Sequence, residues 1–359
     1  MNDYYYFCHS EFYKMPKKEI TIYEIAKTLN VSAATVSRGL KNHPSISRKT
    51  CLKIQETAKT MGYQSNALAS SLRTSKSFTL GVIVPRLDSN FMSTVLAGME
   101  KAAVERGYHL IIMQSFETQE KEEQCAQLLF NHRVDGILVS TSSESNGMNH
   151  FSPFVKKNIP VLFFDRAPVS SPTFSSVTID NHLAGYELTK LMLKNGSQKI
   201  LHITGNIKLR VYKERLEGFI QALKEFNISF SPQMVWKTNL GVDDGIQAAK
   251  NIMDMKALPD GIFVANDTCA IAIINHLQKN GIKIPEQIQV SGFNDDPFAS
   301  LFSPQLTTIR YPGTQMGILA VQSIIDLIKS KNSFPAKTVL DFELISRSST
   351  NNKTTRQQT

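Results

Sequence analysis

All of the net charge of this 359-residue chain sits in one short segment near its start. Residues 14–76 hold twelve Lys or Arg against three Asp or Glu, a net +9, and the whole chain is also +9. Residues 1–13 contribute −2, and 77–359 contribute +2 from 28 basic and 26 acidic side chains. A compact basic head on a near-neutral body is the electrostatic footprint of a polyanion-binding module. A solvated basic patch has the same composition, so the pattern inside the segment has to decide.

That pattern is helical and punctuated by caps. Thr21-Ile22-Tyr23-Glu24 reads as a capping box, with the Thr21 hydroxyl accepting from the Glu24 N–H and the Glu24 carboxylate reaching back to the Thr21 N–H. Ile22, Ile25, Ala26 and Leu29 then share one helix face. Asn30 suits a left-handed turn. Ser32 is a second N-cap, opening a helix Ala33–Leu40 with Val36 and Leu40 inward and Gly39 weakening its last turn. His43-Pro44 break the chain. Ser47 caps a third helix to about Met61, with Ile54, Ala58 and Met61 inward and Gly62 closing it. Two short helices joined by a tight turn and braced by a third make a helix-turn-helix head, whose second helix enters the DNA major groove. Its outward residues are Ser32, Ala33, Ala34, Thr35, Ser37 and Arg38. Arg38 can bind guanine O6 and N7 bidentately, the alanines can meet thymine methyls, and the hydroxyls suit phosphates or base edges. The competing reading, a protein-binding three-helix bundle, fits poorly with a face this small, polar and basic.

Residues 65–76 follow as a short stretch of fair helix propensity, too short to be stable alone and so able to order on docking. The runs Thr21-Ile22-Tyr23-Glu24-Ile25-Ala26, Val31-Ser32-Ala33-Ala34-Thr35-Val36-Ser37-Arg38, Gly62-Tyr63 and Asn66-Ala67-Leu68-Ala69-Ser70-Ser71-Leu72-Arg73 resemble the head and hinge of the lac repressor (LacI/GalR) family of bacterial transcription regulators. The likeness continues less densely to about residue 345. Three positions depart from the family pattern: Lys41 stands for Asn, Ser65 for Pro and Ser70 for Arg. The resemblance implies a homodimer on a pseudo-palindromic duplex bent at its centre. It adds Thr21, Tyr23 and Lys41 to the DNA contacts. In the hinge it implies Asn66, Ala69 and Arg73 at the minor groove, with Leu72 as the wedge that unstacks a base step. Read without the resemblance, Leu72 is as easily a linker leucine packed on the body.

The body, 77–345, is long enough for two lobes. Short apolar runs at Thr79–Val84, His109–Met113, Gly136–Val139, Val161–Phe164, Ile200–Ile203, Gly261–Val264 and Gln289–Gly292 predict strands. Helical patterns alternate with them at Phe91–Arg106, Thr118–Asn131, His182–Asn195, Val211–Phe226, Asp243–Met255 and Cys269–Asn280. Such alternation implies parallel sheets covered on both faces. The resemblance implies a periplasmic-binding-protein-like (type I) effector domain of two lobes, with chain crossings near Val169–Ser176, Asp295–Leu306 and Thr338–Ser346. The fold class is therefore an all-α helix-turn-helix head plus an α/β two-lobed domain. Ligands of open α/β sheets sit beyond the carboxyl ends of the strands. Asp88, Phe91, Asp165, Asn266, Phe293, Asn294 and Asp295 fall there, and Arg215 lies early in its helix. Carboxylates, amides and an Arg match vicinal sugar hydroxyls, and Phe91 or Phe293 can stack on a sugar's apolar face. The resemblance carries ligand roles onto Arg215, Asp165, Asn266 and Asn294. The apolar stripe of Phe91–Arg106 reads as core, part of which the family uses for dimerisation. Residues 346–359 read as a polar tail without heptads.

The four cysteines lack metal or redox spacing and point to a reducing, cytoplasmic compartment, which for a DNA-binding regulator means the bacterial nucleoid. No nucleotide-binding or hydrolase motif is present, so neither cofactor nor metal is expected. No apolar run is long enough for a membrane span. Residues 1–14 lack the pattern of a signal peptide and fit no part of the head. Met15, ahead of Pro16-Lys17-Lys18, is the expected translation start. The sequence thus predicts a sequence-specific DNA-binding regulator, most simply a repressor, controlled by a small ligand of sugar type. The alternatives are a solute-binding protein without a DNA role, which leaves the basic head unexplained, and a sugar-modifying enzyme, for which no nucleophile–base pair is found.

Overall fold

The computed structural model describes residues 20–63, 76–168, 174–330 and 335–351. The chain divides into two compact units, Met1–Ser75 and Lys76–Thr359.

Among the described residues the head is three helices: α1 Ile22–Leu29, α2 Ala33–Leu40 and α3 Arg48–Met61. Ile25, Val36 and Ile54 are its fully buried centre, with Ala26, Cys51 and Ala58 around them. The expected box is present at the start of α1, with the Thr21 N–H donating to the Glu24 carboxylate at 2.7 Å; the Thr21 hydroxyl also lies 3.3 Å from that carboxylate, and the Glu24 N–H goes to the Thr21 carbonyl at 3.1 Å. Asn30 (φ 52°) and Gly62 (φ 72°) take the left-handed conformation that ends α1 and α3. Ser32 and Ser47 cap α2 and α3 by accepting from Thr35 and Thr50 N–H. Gly39 has a packing reason: a Cβ there would lie 2.4 Å from Ile54 Cδ1.

Among the described residues the body carries twelve strands: β1 Thr79–Val84, β2 His109–Gln114, β3 Gly136–Val139, β4 Val161–Phe164, β5 Ser175–Ile179, β6 Ile200–Thr204, β7 Val235–Lys237, β8 Gly261–Val264, β9 Gln289–Ser291, β10 Thr308–Arg310, β11 Lys337–Leu340 and β12 Glu343–Ile345. Its helices are α4 Asn90–Glu105, α5 Gln119–Asn131, α6 Ser152–Lys156, α7 Asn181–Lys194, α8 Arg210–Glu225, α9 Val242–Met253, α10 Asp267–Lys279, α11 Phe298–Leu301 and α12 Gly313–Lys329. The first lobe is a parallel sheet ordered β11-β5-β4-β3-β1-β2, and the second a parallel sheet ordered β7-β6-β8-β9. Antiparallel β10 and β12 join them.

The crossings correct the sequence reading in two places. Ser175 and Ser176 fall in the expected crossing Val169–Ser176, yet they open buried strand β5, and the Ser175 hydroxyl accepts from Ala336 N–H. The first crossing therefore follows Ile179. At the second, Ala299 and Leu306 belong to the second-lobe core, so the chain crosses at Thr308–Pro312 rather than before Leu306. The third runs through β12, inside the expected range. The segment expected to open a polar tail at Ser346 is instead built in. Ser349 and Thr350 are fully buried, with Ser349 Oγ donating to the Val290 carbonyl at 2.6 Å and accepting from Thr307 N–H at 2.8 Å. The remaining tail, 352–359, lies outside the described residues.

Helices α7 and α8 approach closely because two glycines face backbone. A Cβ on Gly218 would lie 2.1 Å from the His182 carbonyl oxygen, and one on Gly185 would lie 2.4 Å from that of Arg215. Backbone cannot yield as a side chain can. Gly218→Ala is expected to destabilise the body by about 3 kcal/mol, the upper range for overpacking, read by urea unfolding of the full chain.

Candidate effector cleft and DNA-reading head

In the head, all seven basic side chains among the described residues (Lys27, Arg38, Lys41, Arg48, Lys49, Lys53 and Lys59) are exposed. Ala34, Arg38 and Lys41 follow one another at i, i+4 and i+7 along α2 and its cap, a single outward stripe. Ser32 is exposed, and Ala33, Thr35 and Ser37 are half-buried beside that stripe. The Ser32 and Thr35 hydroxyls lie 2.9 Å apart, so the cap also fixes the Thr35 side chain. Thr21 is exposed, and Tyr23 is 72% exposed, an unusual position for a tyrosine with no packing role. Arg48 and Lys49 were missed by the sequence reading. They occupy the first turn of α3, which has no acidic residue, and there the helix dipole disfavours cations and favours a phosphate. Asn66, Ala69, Leu72 and Arg73 lie outside the described residues.

The body has a cleft of about 340 Å³ between its lobes. Asp88, Phe91 and Asp165 line it from the first lobe, and Arg215, Asn266 and Asn294 from the second, as the strand-end argument requires. Tyr311, on the second crossing, closes the floor.

Arg215 is the centre of this site. It is 4% exposed, and its guanidinium carbon stands 3.5 Å from the Phe293 ring centroid. Nε donates to Asn181 Oδ1 and Nη1 to the Ala265 carbonyl, both at 2.9 Å. Among the described residues no carboxylate forms a salt bridge with it; burial lowers its pKa, yet a guanidinium keeps its proton in any protein. The rest of its donor fork remains for whatever fills the cleft. Asp165, 8% exposed with φ 54°, accepts the Tyr311 hydroxyl proton at 2.9 Å, with Ser140 Oγ at 3.4 Å. Burial raises the Asp165 pKa and pushes the Tyr311 hydroxyl well up. Phe91 stacks on Tyr311 with ring centroids 4.3 Å apart and planes 3° from parallel. Asn266 caps α10 by accepting from Cys269 N–H, and its Nδ2 ties the Leu240 carbonyl into the wall.

Two expected residues are elsewhere. Phe293 is fully buried beneath Arg215 and serves as its platform rather than as a wall. Asp295 turns away from the cleft to a hinge cluster, accepting from Arg310 Nε at 2.8 Å and Arg347 Nη2 at 2.6 Å. Asn294 (φ 122°) and Asp295 (φ 59°) are both in the left-handed region, which splits the side chains of neighbouring residues between cleft and hinge. Asp88 lines the mouth but is held by Arg86 through two hydrogen bonds, at 2.9 and 2.7 Å.

Arg166, which follows Asp165 at the end of β4, also lines the cleft, together with three side chains the sequence reading passed over: Glu117, Tyr212 and Asp296. Arg166 donates to Glu117 at 2.7 Å. Asp296 packs over Asp267, whose carboxylate accepts from the Asp296 N–H and the Thr308 hydroxyl, each at 2.7 Å. Burial, then the neighbouring carboxyl, pushes Asp267 up to about 7, and burial brings Asp296 to about 6. Strand-end position flagged Asn294 and Asp295 but not the next residue, and no local pattern marks Glu117. Among the described residues no cluster suits a metal ion.

Residues 21–66 match the model described as bacterial regulatory proteins, lacI family. Residues 77–348 match that of periplasmic binding proteins and the sugar binding domain of the LacI family. The chain belongs to the LacI family. The repressor PurR of Vibrio vulnificus (strain CMCP6) is 32% identical over 87% of this chain and 92% of its own. The NTD biosynthesis operon regulator NtdR of Bacillus subtilis (strain 168) is 31% identical over 92% and 99%. The lac repressor dimer bound to operator superposes with a TM-score of 0.83 over 93% of this chain and 99% of that one; at 22% identity this shows the fold. Members of the family are DNA-binding transcription regulators. Among the described residues no helix is long and apolar enough to cross a membrane.

The raised carboxyls set a sign for pH dependence. A group whose folded pKa exceeds its unfolded value of about 3.9 gives stability that is full below that value and is lost as pH rises through the folded pKa. Stability of the body should therefore fall between pH 4 and 7 through Asp267. Asp267→Asn is expected to flatten that slope in melting scans at pH 5, 6, 7 and 8.

Proposed function

We propose that this protein is a homodimeric repressor that binds a pseudo-palindromic operator through Arg38 and its stripe and releases or grips it according to a small polyhydroxylated ligand, of sugar type, held at Arg215. It acts on the nucleoid in the cytoplasm and catalyses no reaction on its ligand. The observation that carries the reading is the buried Arg215 guanidinium, held by Asn181, Ala265 and Phe293 and open on its remaining side to a cleft that spans both lobes. Most other charges of the cleft are internally paired, Arg86 with Asp88 and Arg166 with Glu117, which favours a neutral ligand rich in hydroxyls over an anion. The mixed donors and acceptors of Asp165, Asn266, Asn294 and Asp296 suit vicinal hydroxyls, and Phe91 and Tyr212 offer apolar ring faces.

Control follows from linkage. A ligand that binds one lobe arrangement better than another shifts that equilibrium, and DNA shifts ligand affinity by the same factor. A two-fold protein on a two-fold site doubles its contacts. In the hinge, Leu72 is the proposed wedge, with Asn66, Ala69 and Arg73 beside it at the minor groove.

Selection of bound duplexes from a random pool, repeated with a carbohydrate panel, tests the whole reading; no enrichment under any condition would sink it. With the selected duplex, Arg38→Ala is expected to lose about 1–3 kcal/mol and to relax one base position, seen as a flattened preference in the repeated selection. A sugar that binds should stabilise the body by about 2.7 kcal/mol at 100 times its Kd. Arg215→Lys, which gives up the fork, should weaken that sugar at least roughly tenfold, or ~1.4 kcal/mol, in calorimetry while leaving ligand-free operator binding intact.

A further inference from the structure

Glu117 links the cleft to the opposite lobe. Its Oε2 accepts from Arg166 Nη1 at 2.7 Å and from the Ser143 N–H at 2.9 Å. Its carbonyl oxygen accepts from the Ser143 hydroxyl at 3.2 Å and the Glu144 N–H at 3.3 Å. The Ser143 carbonyl in turn accepts from Asn206 Nδ2 at 2.9 Å, and Asn206 follows β6 in the second lobe. The same Asn206 side chain accepts the Lys208 N–H on Oδ1 at 3.1 Å. One run of hydrogen bonds thus leads from a guanidinium on the cleft wall to a backbone amide across the lobe boundary.

The backbone supporting this run is held in a disfavoured conformation. Phe116 (φ 51°) and Glu117 (φ 64°) are consecutive non-glycine residues in the left-handed region. Such residues are disfavoured by about 1–2 kcal/mol each and persist where their surroundings over-determine them, commonly at switch segments. Here the surroundings are the loop itself. The Ser142 N–H goes to Glu122 Oε2 at 2.6 Å and the Asn146 N–H to Gln119 Oε1 at 3.0 Å, so side chains of α5 satisfy the loop that Glu117 anchors.

We propose that Glu117 is a positioning residue that couples occupation of the cleft at Arg166 to the interlobe hydrogen bond between Ser143 and Asn206. A ligand oxygen that takes Arg166 as its donor competes with Glu117 Oε2, which alters the hold on the Ser143 loop and so the contact that joins the lobes. The proposal rests on the cleft being the effector site for its biological meaning. Its test needs neither ligand nor DNA, so a negative result here leaves the operator and sugar experiments standing.

The test is a double-mutant cycle read by amide hydrogen exchange of the full chain. The reporter is the Lys208 amide, on the far lobe, measured against Val264 in buried strand β8 to remove any global loss of stability. Glu117→Gln and Arg166→Gln are each expected to speed Lys208 exchange by about fivefold, the worth of one net hydrogen bond. The double variant should show no more than either single variant, and Arg166→Lys, which keeps a cation near Glu117, should recover most of the protection. Asn206→Ala sets the scale for complete loss. A Lys208 amide indifferent to Glu117→Gln, or effects of the two substitutions that simply add, would overturn the coupling.

Discussion

A cation held in the protein interior, with no ion-pair partner among the described residues, organises the body. Arg215 lies on Phe293 and is fixed by Asn181 and Ala265, so α7, α8, β8 and the loop after β9 all meet at one guanidinium. An arginine removed from water needs hydrogen bonds and a polarisable surface, and the second lobe supplies both. Gly185 sets the distance, since a side chain there would push on the Arg215 backbone itself. The position of the cleft follows from this packing. The strand ends of each sheet open toward the other lobe, and the Arg215 guanidinium lies between them.

Much of this was legible in the chain. Caps at Ser32 and Ser47 and left-handed Asn30 and Gly62 bounded the head helices to the residue, because capping chemistry is local. Strands with continuous apolar runs, such as Gly136–Val139 and Val161–Phe164, were equally plain, because both sheet faces are covered. What escaped were elements whose stabilisation is not local. Ser175–Ile179 opens on two serines, and the Ser175 hydroxyl finds its partner, the Ala336 N–H, only once the segment leading into β11 lies beside it. The three-residue strands Thr308–Arg310 and Glu343–Ile345 are too short for any periodicity and exist because they pair with each other.

The cleft was legible to the same extent. Position at a strand end located Asp165, Asn266 and Asn294, since topology places those termini. It did not reveal side-chain direction. Positive φ at both Asn294 and Asp295 accompanies a split in which Asp295 goes to Arg310 and Arg347 while Asp296, one residue on, lines the cleft. Nor did it reveal partners from distant segments, as with Glu117 and Arg166, forty-nine residues apart in sequence. The head and body also differ in how they carry charge. The head leaves its cations exposed, whereas the cleft pairs Arg86 with Asp88 and Arg166 with Glu117.

Tyr311 belongs at once to the floor of the cleft and, one residue past β10, to the second crossing between the lobes. A guest that touches it therefore presses on the axle and not on a wall. Force applied at a fulcrum moves little where it acts and much at the rim, so a displacement too small to notice beside the ring can swing the outer ends of both sheets. Such an arrangement favours small guests: what matters is where they lean, not how much of the space they fill.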